Sequence, residues 1–243
     1  IKLGGRIAGN KAAQKALKTA NDLGWKLNDW VYRETKGLMA DGKIVGIVGG
    51  DHSVPYGAFR AAAEYHGEFG LLHFDAHSDT RIAYEGFTWS HASIMYNAMK
   101  DIPTISRITQ VGIRDFCEQE HDFTRELGGR AKVFYDRDLA SRRFAGEPWT
   151  KTAQEIVDSL PKQVWITFDI DGLDPVLCPH TGTPVPGGLQ FAEAVHLVAL
   201  VAKSGRKIIG FDLNEVSPGD DEWDANVGMR LLYKLIAWTF VSR

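Results

Sequence analysis

Hydrophobic and polar positions form two kinds of block that alternate along the chain. Short, mostly apolar runs are typical of strands buried on both faces, and longer segments carry apolar residues at helical spacing. The runs lie at about 44–48, 69–74, 108–113, 132–135, 164–168 and 207–211. Helices are predicted at about 10–38, 56–66, 90–99, 150–160, 191–202 and 228–237, with another ending near 127. This order predicts a parallel sheet with helices on its faces.

No repeat, low-complexity tract or flexible linker interrupts this order. We therefore expect residues 1–243 to form a single domain, a size that one α/β domain commonly has. Because the chain begins at Ile1 and not at a methionine, we also expect its N-terminal part to be missing.

Composition excludes several classes of function. The 28 basic and 31 acidic residues leave no basic stripe for nucleic acid. No apolar run approaches the roughly 20 residues of a membrane span. Cys117 and Cys178 are far apart and lack zinc-site spacing, which is typical of a reduced, cytoplasmic protein. The expected partner is a small molecule, with no nucleic acid and no membrane.

Histidines and carboxylates follow several of the predicted strands, where ligands of parallel sheets bind. In extended chain, side chains at i, i+2 and i+4 point to one side, so those after the second strand can face one site. Two imidazoles and four carboxylates are too many for one ion but fit two ions that share aspartates. The predicted metal ligands are His52, Asp75, His77, Asp79, Asp169 and Asp171.

Each motif also has a less specific interpretation. An aspartate after a strand is usually a helix cap, as Asp51 or Asp115 can be. A lone histidine is more often a hydrogen-bonded structural residue, which we expect of His66, His121 and His196. The metal site is predicted because the motifs occur together and in order at strand ends.

Three segments resemble the signatures of the ureohydrolases, the family of arginase and agmatinase. They are Gly-Gly-Asp-His-Ser at 49–53, Phe-Asp-Ala-His-Ser-Asp at 74–79 and Phe-Asp-Ile-Asp-Gly-Leu-Asp-Pro at 168–175. Residues 181–184, 186–188 and 212–218 also match. The resemblance implies a three-layer α/β/α fold, arginase/deacetylase-like, with a mostly parallel sheet of about eight strands.

By position, the resemblance implies two Mn²⁺ per chain. His52 and Asp79 would bind one ion and His77 and Asp171 the other, with Asp75 and Asp169 bridging both. Ni²⁺, Co²⁺ and Fe²⁺ also suit carboxylate and imidazole ligands, because selection in cells depends on geometry and supply.

The same resemblance implies the catalytic residues. Asp79 would accept a hydrogen bond from the attacking water, Glu215 would bind and orient the guanidinium, and His91 would protonate the departing nitrogen. Thr183 and Arg81 would lie beside the substrate. Family members form homotrimers and homohexamers, and the same is expected here.

Substrate choice rests on few residues. Arg81 and Cys117 stand where arginases carry groups that hold the amino-acid end of arginine, so the hydrolysis of agmatine to putrescine and urea is favoured. Formiminoglutamate is an alternative because arginine pairs with carboxylates. Free guanidine is another, because the bulky segment around Trp89 could close the pocket. Two alternatives of other classes stay open. One is an inactive metal-binding paralogue that acts through assembly. The other is a deacetylase-like hydrolase with one zinc ion, although such enzymes lack the motif that contains His52.

Overall fold

A parallel sheet forms the centre of the computed structural model, which describes residues 7–243. Six strands lie in the order β1-β6-β5-β2-β3-β4, every neighbouring pair parallel. They are β1 Val45–Val48, β2 Phe69–Phe74, β3 Ile105–Ile113, β4 Ala131–Tyr135, β5 Gln163–Asp169 and β6 Lys207–Asn214. The predicted α/β fold is confirmed. Within residues 7–243 the sheet has six strands and not about eight. The described segment before β1 forms one long helix and adds no strand, so β1 lies at the edge of the sheet.

The helices follow the predicted order with one addition. They are α1 Lys11–Ala40, α2 Tyr56–His66, α3 Ile94–Asp101, α4 Glu118–Glu126, α5 Asp136–Phe144, α6 Trp149–Asp158, α7 Phe191–Lys203 and α8 Trp223–Val241. Helix α5 was not predicted from the sequence, because it buries only Asp136 and Leu139 and has no apolar face. Among the described residues, no helix is both long and apolar enough to cross a membrane.

Both faces of the sheet are covered, which gives the three layers. On one face Leu71 and Trp165 pack beneath α2 and α3, and α1 packs against α2. On the other face Leu72 and Phe168 pack beneath α6, α7 and α8. Each such buried side chain contributes roughly 1.5–3 kcal/mol relative to exposure.

The register of β2 and β5 brings the main polar segments to one level. Phe74 is opposite Phe168, so Asp75 and Asp169 follow at the same edge of the sheet. The turn after β5 lies directly against the end of β2, and Gly172 permits this contact. A Cβ atom on Gly172 would lie 2.7 Å from the backbone nitrogen of Asp75.

Candidate metal and catalytic site

The imidazole of His52 faces three carboxylates at the edge of the sheet. Its Nδ1 atom lies 3.1 Å from Asp75, 3.3 Å from Asp169 and 3.5 Å from Asp79. On the far side of the ring, Nε2 lies 2.8 Å from Thr167 Oγ1, whose hydroxyl donates to Asp212. Nε2 therefore carries a proton, and Nδ1, which faces the carboxylates, is the nitrogen that could bind a metal, as in a metal-ligating histidine.

His77 forms a second group that shares one member with the first. Its Nδ1 atom lies 3.1 Å from Asp171 and 3.4 Å from Asp75. Asp75 thus stands between the two imidazoles, and its other contacts include the backbone N–H of His77 at 2.6 Å. The structure brings all six predicted ligand residues together.

The path of the chain to Asp79 differs from the extended one expected from the sequence. Asp79 has φ of +56°, in the left-handed region that non-glycine residues rarely adopt. Its carbonyl accepts hydrogen bonds from the N–H groups of Met95 and Tyr96 in the first turn of α3. Asp75, His77 and Asp79 reach one site as expected, but the backbone at Asp79 is not extended, and its hydrogen bonds to α3 hold it in place.

Charge in this cluster is strongly unbalanced. The carboxylates of Asp75, Asp79, Asp169 and Asp171 are all buried, and within residues 7–243 their ion-pair partners are histidines, with no lysine or arginine among them. Burial, and then the neighbouring carboxylates, raise the pKa of Asp79 and of Asp169. Hard oxygen donors with two imidazoles around such a cluster fit a pair of divalent cations, manganese among them.

A third group lies beside the first two and contains His91. Donor atoms of Asp51, His91 and Glu215 all lie within 4.8 Å of one another. His91 Nδ1 is 3.3 Å from Asp51, and this hydrogen bond is the main reason that the pKa of His91 is raised. The structure therefore gathers the predicted proton donor and the predicted guanidinium-binding residue at one place.

Glu215 is held in a fixed position at the end of β6. Its backbone is left-handed, with φ of +61°, and its carbonyl accepts a hydrogen bond from the hydroxyl of Thr181 at 2.8 Å. One carboxylate oxygen accepts the N–H of His52 at 2.9 Å. Burial raises the pKa of Glu215.

A small cleft of about 140 Å³ lies at the site, lined by His91 and Asp79 among others. Its walls include His77, Asp115 and Thr183, with the Thr183 hydroxyl 3.4 Å from Asp171. Arg81 lines the cleft too, but its Nε atom lies 3.3 Å from the buried carboxylate of Glu120.

Two residues that the sequence suggested for substrate choice do not line this cleft. Cys117 is the N-cap of α4 and lines a neighbouring groove with Phe123. The ring of Trp89 packs 5.4 Å from Trp25 and 5.0 Å from Tyr56, centroid to centroid. Trp89 therefore anchors α1 and α2 and does not form the aromatic lid considered from the sequence.

Several site-supporting residues were missed from the sequence. Arg114 donates to the backbone carbonyls of Asp171, Leu173 and Val185 and so joins three loops beneath the cleft. His73 lies fully buried inside β2 and contacts Asp75. A histidine within an otherwise apolar strand was a visible signal, whereas the contacts of Arg114 depend on the folded loops.

Comparison with known proteins shows the family of the chain. A profile described as the arginase family matches residues 10–237. The chain belongs to the arginase family. The agmatine ureohydrolase structure of Thermoplasma volcanium is similar, with a TM-score of 0.75 and 29% identity, over 90% of this chain and 70% of that one.

Curated members of the family give the same result. The chain is 35% identical to an agmatinase of Proteus mirabilis over 214 residues, 85% of this chain and 65% of that protein. It is also 35% identical to an N(1)-aminopropylagmatine ureohydrolase of Thermus thermophilus over 196 residues, 80% of this chain and 62% of that protein. The chain thus spans a little under two thirds of the length of these relatives.

Proposed function

We propose that this protein hydrolyses a guanidino compound to urea and an amine, with agmatine as substrate and putrescine as the amine. The observation that supports this most is the position of Asp75 between two imidazoles, beside the group of Asp51, His91 and Glu215. The names of its relatives, agmatinase and N(1)-aminopropylagmatine ureohydrolase, favour the same chemistry. Such a reaction belongs to polyamine metabolism.

Two Mn²⁺ ions per chain are proposed as cofactors, with Ni²⁺, Co²⁺ or Fe²⁺ as substitutes. The proposed ligands are His52, Asp75, His77, Asp79, Asp169 and Asp171. When bound, such a pair of ions would supply a water molecule activated for attack on the guanidinium carbon.

The protein's own groups then bind the substrate and move the proton. Glu215, already held by Thr181 and by the backbone of His52, presents its carboxylate to the planar guanidinium, which pairs well with carboxylates. Asp79 accepts a hydrogen bond from the attacking water. His91, whose pKa is raised chiefly by its hydrogen bond to Asp51 so that the protonated form is favoured, donates a proton to the departing nitrogen.

The charges around the cleft favour a substrate with a cationic tail. Asp115 is an exposed carboxylate, 3.8 Å from His77 Nε2. Arg81, which could attract a substrate carboxylate, is already paired with Glu120. Arginine and formiminoglutamate would bring a carboxylate close to the exposed carboxylate of Asp115, and agmatine would not.

Free guanidine is the second candidate, because the cleft of about 140 Å³ is small and guanidine has no tail to place. The inactive-paralogue alternative is disfavoured, because the proposed ligands and His91 lie together and none is replaced.

The experiment is a substrate panel with the Mn²⁺-loaded protein. Urea release is measured from agmatine, arginine and guanidine, and glutamate release from formiminoglutamate. We expect the highest kcat/KM with agmatine, and we expect Asp115→Asn to raise KM for agmatine while leaving guanidine turnover unchanged. Fastest turnover of arginine would contradict the proposed preference for a substrate without a carboxylate. If guanidine is the only compound hydrolysed, the proposed reaction type stands and agmatine is excluded as the substrate.

Further proposals concern organisation. We propose that residues 1–243 are a single ureohydrolase domain that assembles as a homotrimer or homohexamer in the cytoplasm. Both Cys117 and Cys178 are free thiols, as reducing compartments maintain. Light scattering that gave a monomer mass at micromolar concentration would contradict the assembly.

A further inference from the structure

A second imidazole contacts Asp75 from inside the sheet. His73 is fully buried in β2, and its Nε2 atom lies 2.8 Å from Asp75 Oδ2. The two residues are at i and i+2 of the chain and share one face of the sheet. Opposite His73 on β3 stands Gln110, whose amide nitrogen lies 3.0 Å from His73 Nδ1.

The hydrogen bonds of Gln110 fix which nitrogen of His73 carries the proton. The Gln110 amide nitrogen donates to the carbonyl oxygen of Ser78 at 2.8 Å, a group that can only accept. The other amide N–H therefore meets His73 Nδ1, which must accept it. The proton of the neutral ring is thus on Nε2, where it is donated to Asp75.

The donor atoms of His73, His52, Asp75 and Asp79 all lie within 4.8 Å of one another. The tautomer nevertheless disfavours His73 as a metal ligand through either nitrogen. Binding through Nε2 would require a proton on Nδ1, and that N–H would face the N–H of Gln110. Binding through Nδ1 would require displacing the Gln110 amide. His52 has the opposite arrangement, because its Nε2 proton points away to Thr167 and its Nδ1 atom, left without a fixed donor, faces the carboxylates.

The hydrogen bonds continue from Gln110 to the rim of the cleft. The hydroxyl of Ser78 lies 2.9 Å from that of Thr80, and the N–H of Thr80 donates to Glu120 at 3.2 Å. Glu120 pairs with Arg81. The side chains of this network before Arg81 are at most 3% exposed and are therefore shielded from water; they are Ser78, Thr80, Gln110 and Glu120.

We propose that His73, fixed by Gln110, is a positioning residue that holds the Asp75 carboxylate in place between His52 and His77, where it would serve as a metal ligand. This inference rests on the proposed metal site. Outer partners of this kind change metal affinity by roughly 10–100-fold when they are removed.

The test measures Mn²⁺ binding to the metal-free protein by calorimetric titration, independently of urea release. His73→Phe removes the donor and retains a planar ring, and His73→Gln retains an N–H at similar reach. Gln110→Leu frees the tautomer of His73. Thr109→Val is the matched control, since Thr109 is a buried neighbour on β3 that bonds to Ser159 and not to this network.

We expect His73→Phe to weaken Mn²⁺ binding by about 10–100-fold with two ions still bound at saturation. Gln110→Leu should weaken it in the same direction, and His73→Gln and Thr109→Val should stay near the unaltered protein. If His73→Phe does not fold, as circular dichroism would show, Gln110→Leu alone decides the question.

Two results would overturn the inference. Loss of one whole ion at saturation in His73→Phe would make His73 a ligand, and unchanged affinity in both His73→Phe and Gln110→Leu would leave no positioning role. A protein that binds two ions in this pattern but releases no urea would refute the proposed function and leave this inference intact. Failure of the unaltered protein to bind Mn²⁺ would refute both.

Discussion

The Nδ1 atom of His91 lies 3.3 Å from a carboxylate oxygen of Asp51, the residue that directly precedes His52. The loop after β1 thus supplies both a proposed metal ligand and the carboxylate that orients the proposed proton donor. Asp51 also accepts the N–H of Ser53 at 2.7 Å, so its own side chain is fixed within the loop. The pKa of Asp51 is lowered to about 2: burial opposes this, but the hydrogen bonds from His91 and Ser53, with the charge of His91, together outweigh it.

Asp51→Asn is expected to impair His91 without emptying the site. The amide keeps the bond to Ser53 but cannot stabilise a protonated imidazole, so the pKa of His91 falls. Glu215 still favours the charged form and His77 opposes it. Because a general acid must be protonated, the alkaline decline of kcat moves to lower pH, and kcat near neutrality falls by roughly 10-fold. A pH–rate profile with Mn²⁺ content checked for each variant measures this.

The control for that variant is Asp41→Asn, an exposed carboxylate just after α1 that pairs with Lys43. It should leave the profile unchanged. An alkaline limb that stays in place in Asp51→Asn would mean that His91 does not supply the proton.

His91→Ala removes the proposed proton donor itself. We expect kcat to fall by roughly 10²–10⁴, the usual contribution of general acid catalysis, while the protein keeps its metal. Kinetics and elemental analysis on the same preparation separate the two effects. A fall in metal content would instead identify His91 as a ligand.

Removal of metal is expected to destabilise the fold. Four buried carboxylates would lose the positive charge of the ions, and linkage gives about 2.7 kcal/mol of stabilisation for an ion present at 100 times its dissociation constant. For a domain of this size that corresponds to a fall in Tm of roughly 5–10 °C. Calorimetry with EDTA, and again after Mn²⁺ is restored, tests it. An identical Tm in both conditions would argue against metal binding at this cluster.

Gly172 is expected to tolerate no side chain. Its Cβ would lie 2.7 Å from the backbone of Asp75, so Gly172→Ala should cost roughly 1–3 kcal/mol and weaken Mn²⁺ binding. Gly37→Ala is the matched control, because nothing lies within 4 Å of its Cβ position on α1. There alanine should stabilise the helix by about 0.5–1 kcal/mol. Equal effects of both substitutions on denaturant unfolding would contradict the close packing at Gly172.

The sequence predicted those parts of the molecule that depend on local pattern. Apolar runs identified β2 and β5 because both are buried on both faces, and the motifs after them identified Asp75 and Asp169. Helix α5 was missed because it has almost no buried face.

The supporting residues could not be predicted in the same way, because their roles come from contacts between distant segments. Gln110 meets His73 only through the register of β3 on β2. The bond between Asp51 and His91 joins two loops 40 positions apart in the chain. Arg81 pairs with Glu120 because of how α4 packs, and this ion pair weakens the attraction of Arg81 for a substrate carboxylate.

The most direct measurement of the central claim is urea release from agmatine by protein with a known metal content. With about two Mn²⁺ bound per chain, an estimate from the two-metal pattern, we predict urea and putrescine in equal amounts. His77→Ala should bind close to one ion fewer and release no urea, because the chemistry needs both sites. Full activity in His77→Ala, or no urea from any guanidino compound at full metal occupancy, would contradict the account.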